Sequence, residues 1–162
     1  MSFVMADFYK RFVDEELDSE GRLKSFKLDL PENFNFSYDV IDELAKNVPD
    51  KVAMQWVNEE GEEHIFTYKD LSEKSSQVAN MMLAHGVKKG DFVMAVLKRH
   101  YEFWFLAYGL MKIGAVLVPA TCQLKKKIMF TALTLLLSLI SWQLRRTMFL
   151  IRWTELLSST AE

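Results

Sequence analysis

Cysteine is nearly missing from this 162-residue chain. Cys122 stands alone, which excludes an internal disulfide framework and fits a reducing compartment. Charge of one sign is also missing: the net charge is -2, which gives no ground for a nucleic-acid-binding protein. The opening MSFVMADFYKRF has no basic region followed by an apolar run, so no secretory signal is expected and a cytoplasmic location is. Glycine is scarce, with six residues, and no GxGxxG or GxxxxGK[ST] is formed by them, so neither a dinucleotide fingerprint nor a P-loop is present. What is present is globular: half the residues are hydrophobic and about a quarter charged, which is not the composition of disorder. The length suits one ordinary domain.

The scarce residues are unevenly spread. All six glycines and 20 of the 22 acids lie in Met1–Gln123. Leu124–Glu162 has two acids and neither glycine nor proline; Leu, Ser and Arg make up 17 of its 39 residues, against 21 of the 123 before it. Two compositions meet near Gln123. The chain therefore divides into a lead-in at 1–35, a main segment at 36–123 and an apolar tail at 124–162.

Along the first part, Met1–Glu16 is expected as a short surface helix with Phe3, Phe8, Phe12 and Val13 on one side. Residues 21–36 read as an extended lead-in. A helix is predicted over 37–50, with Ser37 as its cap, Val40, Ile41 and Leu44 on one face, and Pro49 as its stop. KVAMQWVN (51–58) and EEHIFTY (62–68) flank the turn residues NEEG and read as a hairpin. Thr67 caps a further helix, with Asp70 three residues on in a weaker version of the capping box. Leu71, Val78 and Met82 form its apolar stripe and Gly86 ends it. FVMAVL (92–97) and AVLVPA (115–120) have the pattern of strands buried on both faces, joined by the apolar helix 101–114. Strand, helix and strand with a parallel crossover make the fold class α/β.

Candidate chemistry is sparse. His64, His85 and His100 are far apart and have no zinc-ligand spacing, so packing or surface roles are expected. Cys122 has no base that sequence can pair with it. Tyr101, Trp104, Phe105 and Tyr108 are at helical spacing and read as core rather than as a stacking platform. Lys98-Arg99-His100 follows a buried strand, where ligand loops sit in α/β sheets. Gly86 and Gly90 bracket two lysines, a faint phosphate cradle. No catalytic, cofactor-binding or metal-ligating residue is assigned, and no partner or nucleic acid is expected for the chain as it stands.

Residues 66–121 resemble the opening of the AMP-forming acyl-CoA synthetases, of the adenylate-forming superfamily. In order come T-Y-x-x-L (Thr67, Tyr68, Leu71), H-G (His85, Gly86), K-K-G-D (88–91) and a buried strand. Then follow R-x-Y-E-F-W (Arg99, Tyr101–Trp104) and G-A-V-x-V-P-A-T (Gly114–Thr121). FNFSYDVIDELA (34–45) and KVAMQWVNEEGEE (51–63) are similar to the acetyl- and medium-chain branch. The resemblance implies a reaction in which ATP, Mg²⁺ and a short- or medium-chain carboxylic acid give an acyl-adenylate and pyrophosphate, after which CoA displaces AMP. It also implies a Ser/Thr/Gly-rich phosphate loop ending in Pro-Lys, and a catalytic lysine on a mobile C-terminal domain. Neither motif occurs in this sequence, so the chain is expected to be an inactive N-terminal piece of such an enzyme.

The tail has three readings. Ile128–Leu144 sits at the short limit of a membrane span, and would give a small membrane-anchored or partner-binding protein. It is also plausible in period as a core helix. The third reading is a shifted frame. Leu, Ser and Arg have the most codons, and Lys125–Lys127 marks an adenine-rich junction. With suitable synonymous codons, Lys127–Leu136 read from the third base of each codon gives Asp-Tyr-Val-Tyr-Arg-Phe-Asn-Ala-Ala. The synthetases typically continue at this point with an acidic residue, V-Y-R and N-A-A. MFLIRWT (148–154) can hide the family-like Asp-Val-Ser-Asp-Gln-Val-Asp. An apolar helical tail out of frame is the expectation.

Overall fold

Apolar stripes and capping residues decide where the chain's elements begin and end. A computed structural model describes residues 5–97, 100–121 and 148–152, the first two and the last five by their backbone alone. The chain forms two compact units, Met1–Asn35 and Phe36–Glu162.

In the first unit the expected helix is corrected. Among the described residues Met5–Arg11 is helical, as a 3-10 turn, and strand β1 (Val13–Leu17) follows at once. Phe8 and Phe12 satisfy a helical spacing, but their rings meet edge to face at 5.7 Å and Arg11 lies over both, which closes the turn and ends it. Phe3 lies outside the described residues. The extended lead-in is half of a hairpin: β2 (Leu23–Leu28) pairs antiparallel with β1, Val13 opposite Leu28. Asp18 makes the turn by accepting the N–H groups of Glu20 and Arg22 at 2.9 Å, and Gly21 supplies the positive φ of 76°.

In the second unit the chain is helical from Ser37, with a wide π-type turn over Ser37–Asp42 that runs into α1 (Glu43–Asn47). Ser37 is not the cap expected. It is fully buried, and its hydroxyl donates to the carbonyl of Tyr108 at 2.9 Å. The hairpin forms as expected, β3 (Val52–Val57) with β4 (Glu63–Thr67), closed by Asn58, which accepts from the N–H groups of Glu60 and Glu62. α2 (Tyr68–Ala84) starts with a complete capping box, stronger than the sequence suggested. The Asp70 N–H donates to Thr67 Oγ1 at 3.2 Å and the Thr67 N–H to Asp70 Oδ2 at 2.8 Å. The Thr67 hydroxyl also donates to Asp70 Oδ2 at 2.7 Å, and this bond first and the Thr67 N–H second hold the Asp70 carboxyl below its ordinary value.

β5 (Phe92–Leu97), α3 (Glu102–Ile113) and β6 (Val116–Thr121) form the expected crossover, with β5 and β6 parallel and Phe92 beside Val116. Gly114, at φ 69°, ends α3 in the left-handed conformation that a side chain disfavours. The core lies between the α2–α3 pair and one face of the sheet. Leu71, Val78 and Met82 of α2 meet Phe105, Leu106 and Leu110 of α3 over Val93, Ala95 and Leu97. Each such side chain contributes roughly 1.5–3 kcal/mol on burial. The helices approach closely because Gly109 has no side chain: a Cβ there would lie 2.8 Å from Val78 Cγ1 and 2.9 Å from the Ser75 carbonyl.

β7 (Met148–Arg152) runs parallel to β5 on the side away from β6, giving the order β6-β5-β7. The expected helical tail is therefore corrected at these five residues. Cys122 and the run Ile128–Leu144 lie outside the described residues, as do Lys98 and Arg99. Among the described residues no helix is long and apolar enough to cross a membrane.

Candidate functional site

The end of β5 is where a parallel sheet would carry ligand-binding loops. Of Lys98-Arg99-His100, only His100 is described. It enters an aromatic cluster that sequence spacing did not reveal. The His100 ring stacks on Trp56 of β3 at 6.4 Å, and His64 of β4 lies 5.7 Å from the same indole. Tyr101 is at the centre, 4.9 Å from His64, 4.9 Å from Phe66 and 5.3 Å from Trp56. Alternation along β3 and β4 puts Trp56, His64 and Phe66 on one side, and Tyr101, one residue before α3, meets them there.

Two carboxylates flank the cluster. Glu62 Oε1 is 3.0 Å from His64 Nε2. Glu102 Oε2 is buried without a hydrogen-bond partner. Burial pushes the Tyr101 phenol above its ordinary value, and the Glu102 carboxylate adds to this, with Glu62 a smaller contribution. The arrangement fixes the hairpin against the strand end. Among the described residues it holds no nucleophile paired with a base, and no three His, Cys, Asp or Glu side chains are grouped to take a metal.

The other candidates resolve into structure. His85 Nδ1 lies 2.8 Å from the Met81 carbonyl at the end of α2. Of the aromatic residues of α3, Phe105 is core as expected, but Trp104 is 47% exposed, a correction; α3 is apolar on more faces than its neighbours cover. The KKGD loop is a self-closed turn. Lys88 N–H donates to Asp91 Oδ2 at 2.8 Å, Asp91 N–H to the Lys88 carbonyl at 3.0 Å, and Gly90 N–H to the Gly114 carbonyl at 2.8 Å. With those donors engaged inside the protein, this loop does not fit a triphosphate or its Mg²⁺.

The most demanding polar group was missed from sequence. Lys112 of α3 has a side chain only 2% exposed. Its ammonium donates to Asp42 Oδ1 at 2.8 Å, Ser76 Oγ at 2.9 Å and the Ser72 carbonyl at 3.2 Å. All three of its protons are used, as burial of an ammonium requires. Tyr38 lies 5.6 Å below it. The group ties α3 to α2 and to the turn before α1, and it is a structural pin. The open depression beside it is fringed by Asp42, Lys46, Lys69 and Glu73, two charges of each sign, which favours no ligand charge.

Comparison with known proteins sets this frame in a family. The sequence model of the AMP-binding enzyme family matches residues 41–134. Human acyl-coenzyme A synthetase ACSM3, a mitochondrial protein, is 36% identical over 114 residues, covering 67% of this chain and 20% of its own length. The chain thus spans about a fifth of the length of the curated relatives it matches. Klebsiella oxytoca NpsA in complex with 3-hydroxyanthranilyl-AMSN is similar at 28% identity and a TM-score of 0.55, over 63% of this chain and 20% of that one. The fatty acyl-adenylate ligase of L. pneumophila, in complex with acyl adenylate and pyrophosphate, shares the fold at 24% identity and a TM-score of 0.51, over 57% of this chain and 17% of its own. The family model spans more than half of the chain, and the chain belongs to the AMP-binding enzyme family, the adenylate-forming proteins that include the acyl-CoA synthetases.

Proposed function

We propose that this chain is the N-terminal piece of an AMP-forming acyl-CoA synthetase and has no ligase activity alone. The whole enzyme would join a short- or medium-chain carboxylic acid to CoA through an acyl-adenylate, with ATP and Mg²⁺. The observation that carries this is the family match over residues 41–134, on a chain that spans about a fifth of the length of the relatives it matches. The acyl adenylate and pyrophosphate held by the L. pneumophila ligase support the class of reaction.

Charge develops on the transferring phosphoryl group, and only donors and cations aimed at it lower the barrier. Lys112 spends its donors on Asp42, Ser72 and Ser76, and the KKGD turn spends N–H groups on Asp91, Lys88 and Gly114. Purified chain given ATP, Mg²⁺, butyrate or octanoate, and CoA should release no pyrophosphate above background. Acid-dependent release that survives rigorous purification would overturn the reading.

The domain plan goes with it: a lead-in at 1–35, part of an adenylating domain at 36–123, and an out-of-frame tail at 124–162. The composition break at Gln123, the lysine run at 125–127 and the family-like sequence in the shifted frame support this. Sequencing the coding DNA across 123–136 should show one base gained or lost near the lysine codons, followed by an open frame. Stop codons within a few tens of bases in that frame would defeat it. We place the chain in the cytoplasm; the mitochondrial names belong to the relatives, and cell fractionation distinguishes the two.

A further inference from the structure

A helix that is apolar on every side is a buried helix. α3 has two charged residues, Glu102 and Lys112. Lys112 is buried, and Glu102 carries a buried carboxylate oxygen. Phe105, Leu106 and Leu110 fill the core. Trp104, Tyr108 and Met111 follow one another at the i, i+4, i+7 spacing of a single face, turned away from that core. Phe36 stacks on Tyr108 at 6.1 Å, Trp104 lies 6.1 Å from the same ring, and Tyr38 lies beside Lys112 at 5.6 Å. Phe36, Tyr38, Trp104 and Met111 are each between 42% and 51% exposed. None of these side chains is charged, and all belong to the second unit.

Size and symmetry decide what fits this face. A membrane does not: a helix of 12 residues runs about 18 Å, against a hydrocarbon layer of about 30 Å, and its other side is in the core. A large protein partner does not match either. An aromatic ring carries about 150–250 Å², so at half exposure the face offers roughly 350 Å², under half of the about 800 Å² that each partner of a standard complex covers. A second copy does match. Trp104 and Met111 stand about 10 Å apart along α3, on either side of Tyr108. A two-fold axis through Tyr108 lays the two α3 helices antiparallel and sets each Trp104 against Met111 of the other copy, a favourable sulfur–ring contact. No like charges are brought together.

We infer that the Phe36–Trp104–Tyr108–Met111 face joins two copies of this chain in a weak, closed, two-fold dimer. The pair buries roughly 700 Å² in all, the range of transient complexes, so half dimerisation is expected on the order of 100 µM. The inference does not rest on the ligase reading.

The test is sedimentation equilibrium of the full chain across that concentration. A monomer–dimer equilibrium is expected, and about 1 M sodium chloride should leave it intact, since no ion pair is screened. Trp104→Glu should weaken it by at least about tenfold, because a carboxylate would be buried unpaired. A chain that stays monomeric, one that associates beyond the dimer, or a dimer dissolved by salt would each overturn the inference, as would a dimer unaffected by Trp104→Glu. The second measurement does not depend on that variant folding. p-Benzoylphenylalanine replaces Trp104, an exposed ring, in an equal mixture of isotope-labelled and unlabelled chains. The expected product links position 104 of one copy to the peptide holding Met111 of the other. Links confined to one copy, or to phosphatidylcholine when vesicles are added, would overturn it.

Discussion

The two units are held together in different ways. In Met1–Asn35 the side chains of Leu17, Leu23, Phe26 and Leu28 are half or more exposed along the hairpin. Its charged partners, Arg22 with Asp18 at 2.9 Å and Lys24 with Glu16 at 3.1 Å, are at the surface, where water and salt weaken them. Hydrogen bonds from Arg22 and Glu20 still hold the Asp18 carboxyl below its ordinary value, the Arg22 N–H contributing most. In the second unit Leu106 and Leu110 are fully buried, two helices meet at a glycine, and an ammonium is taken out of water with all its donors engaged. The lesson is about supports. A lone two-stranded hairpin is marginal in water, whereas β3–β4, a hairpin of similar length, gains a floor of Tyr101 and Phe105 under Trp56 and Phe66.

Substitutions can break this contrast. The largest effect is expected from Lys112→Ala, which leaves the Asp42 carboxylate and Ser76 hydroxyl without their cation. The loss should be about 3 kcal/mol in urea denaturation, the low end for a buried pair because Asp42 keeps some solvent. Equal stability of variant and parent would show that the pin does not matter. Gly109→Val comes next, at about 1–3 kcal/mol, because the added carbons fall inside contact distance of Val78 and Ser75. A third substitution, Asp70→Ala, removes half the capping box and should cost about 1 kcal/mol at neutral pH. Its effect carries a sign with pH. The Asp70 pKa is lowered on folding, so its contribution is complete above the unfolded value, near 4, and is lost as pH falls through the folded one. Parent and variant melts should therefore converge in acid; a constant gap would exclude the carboxylate as the source. The smallest effect is expected from Phe26→Ser, within about 0.5 kcal/mol, since the ring is 61% exposed. A loss comparable to that of Gly109→Val would mean that the first hairpin is buried in solution and the contrast is false.

Much of the second unit was legible because its signals are local. The stripe of Leu71, Val78 and Met82, the cap at Thr67 and the glycine after α3 each sit within one or two turns of what they control. The first unit misled because Phe8 and Phe12 fit a helix while Val13-Asp-Glu-Glu-Leu17 fits a strand, and the strand takes over where a partner is available. Lys112 was missed because its partners lie 36 to 70 residues away. A trace was present: it stands seven residues after Phe105, on the same buried stripe, where a charge has to be explained. Ser37 was misplaced for the same reason, its acceptor on Tyr108 being 71 residues distant. The pairing of His64 and His100 across Trp56 depends on the hairpin meeting a strand end, which no spacing encodes.

Thr67 closes β4 and caps α2 in the same residue, with no linker between them. The hairpin therefore sets the rotational phase of the helix. One residue inserted after Thr67 would turn α2 by about 100°, carrying Leu71 and Met82 off the core and putting Asp70, Lys74 and Gln77 into the buried places of Leu71, Ser75 and Val78. The strand pleat and the helical screw are geared together at this joint, so length there is constrained more tightly than composition.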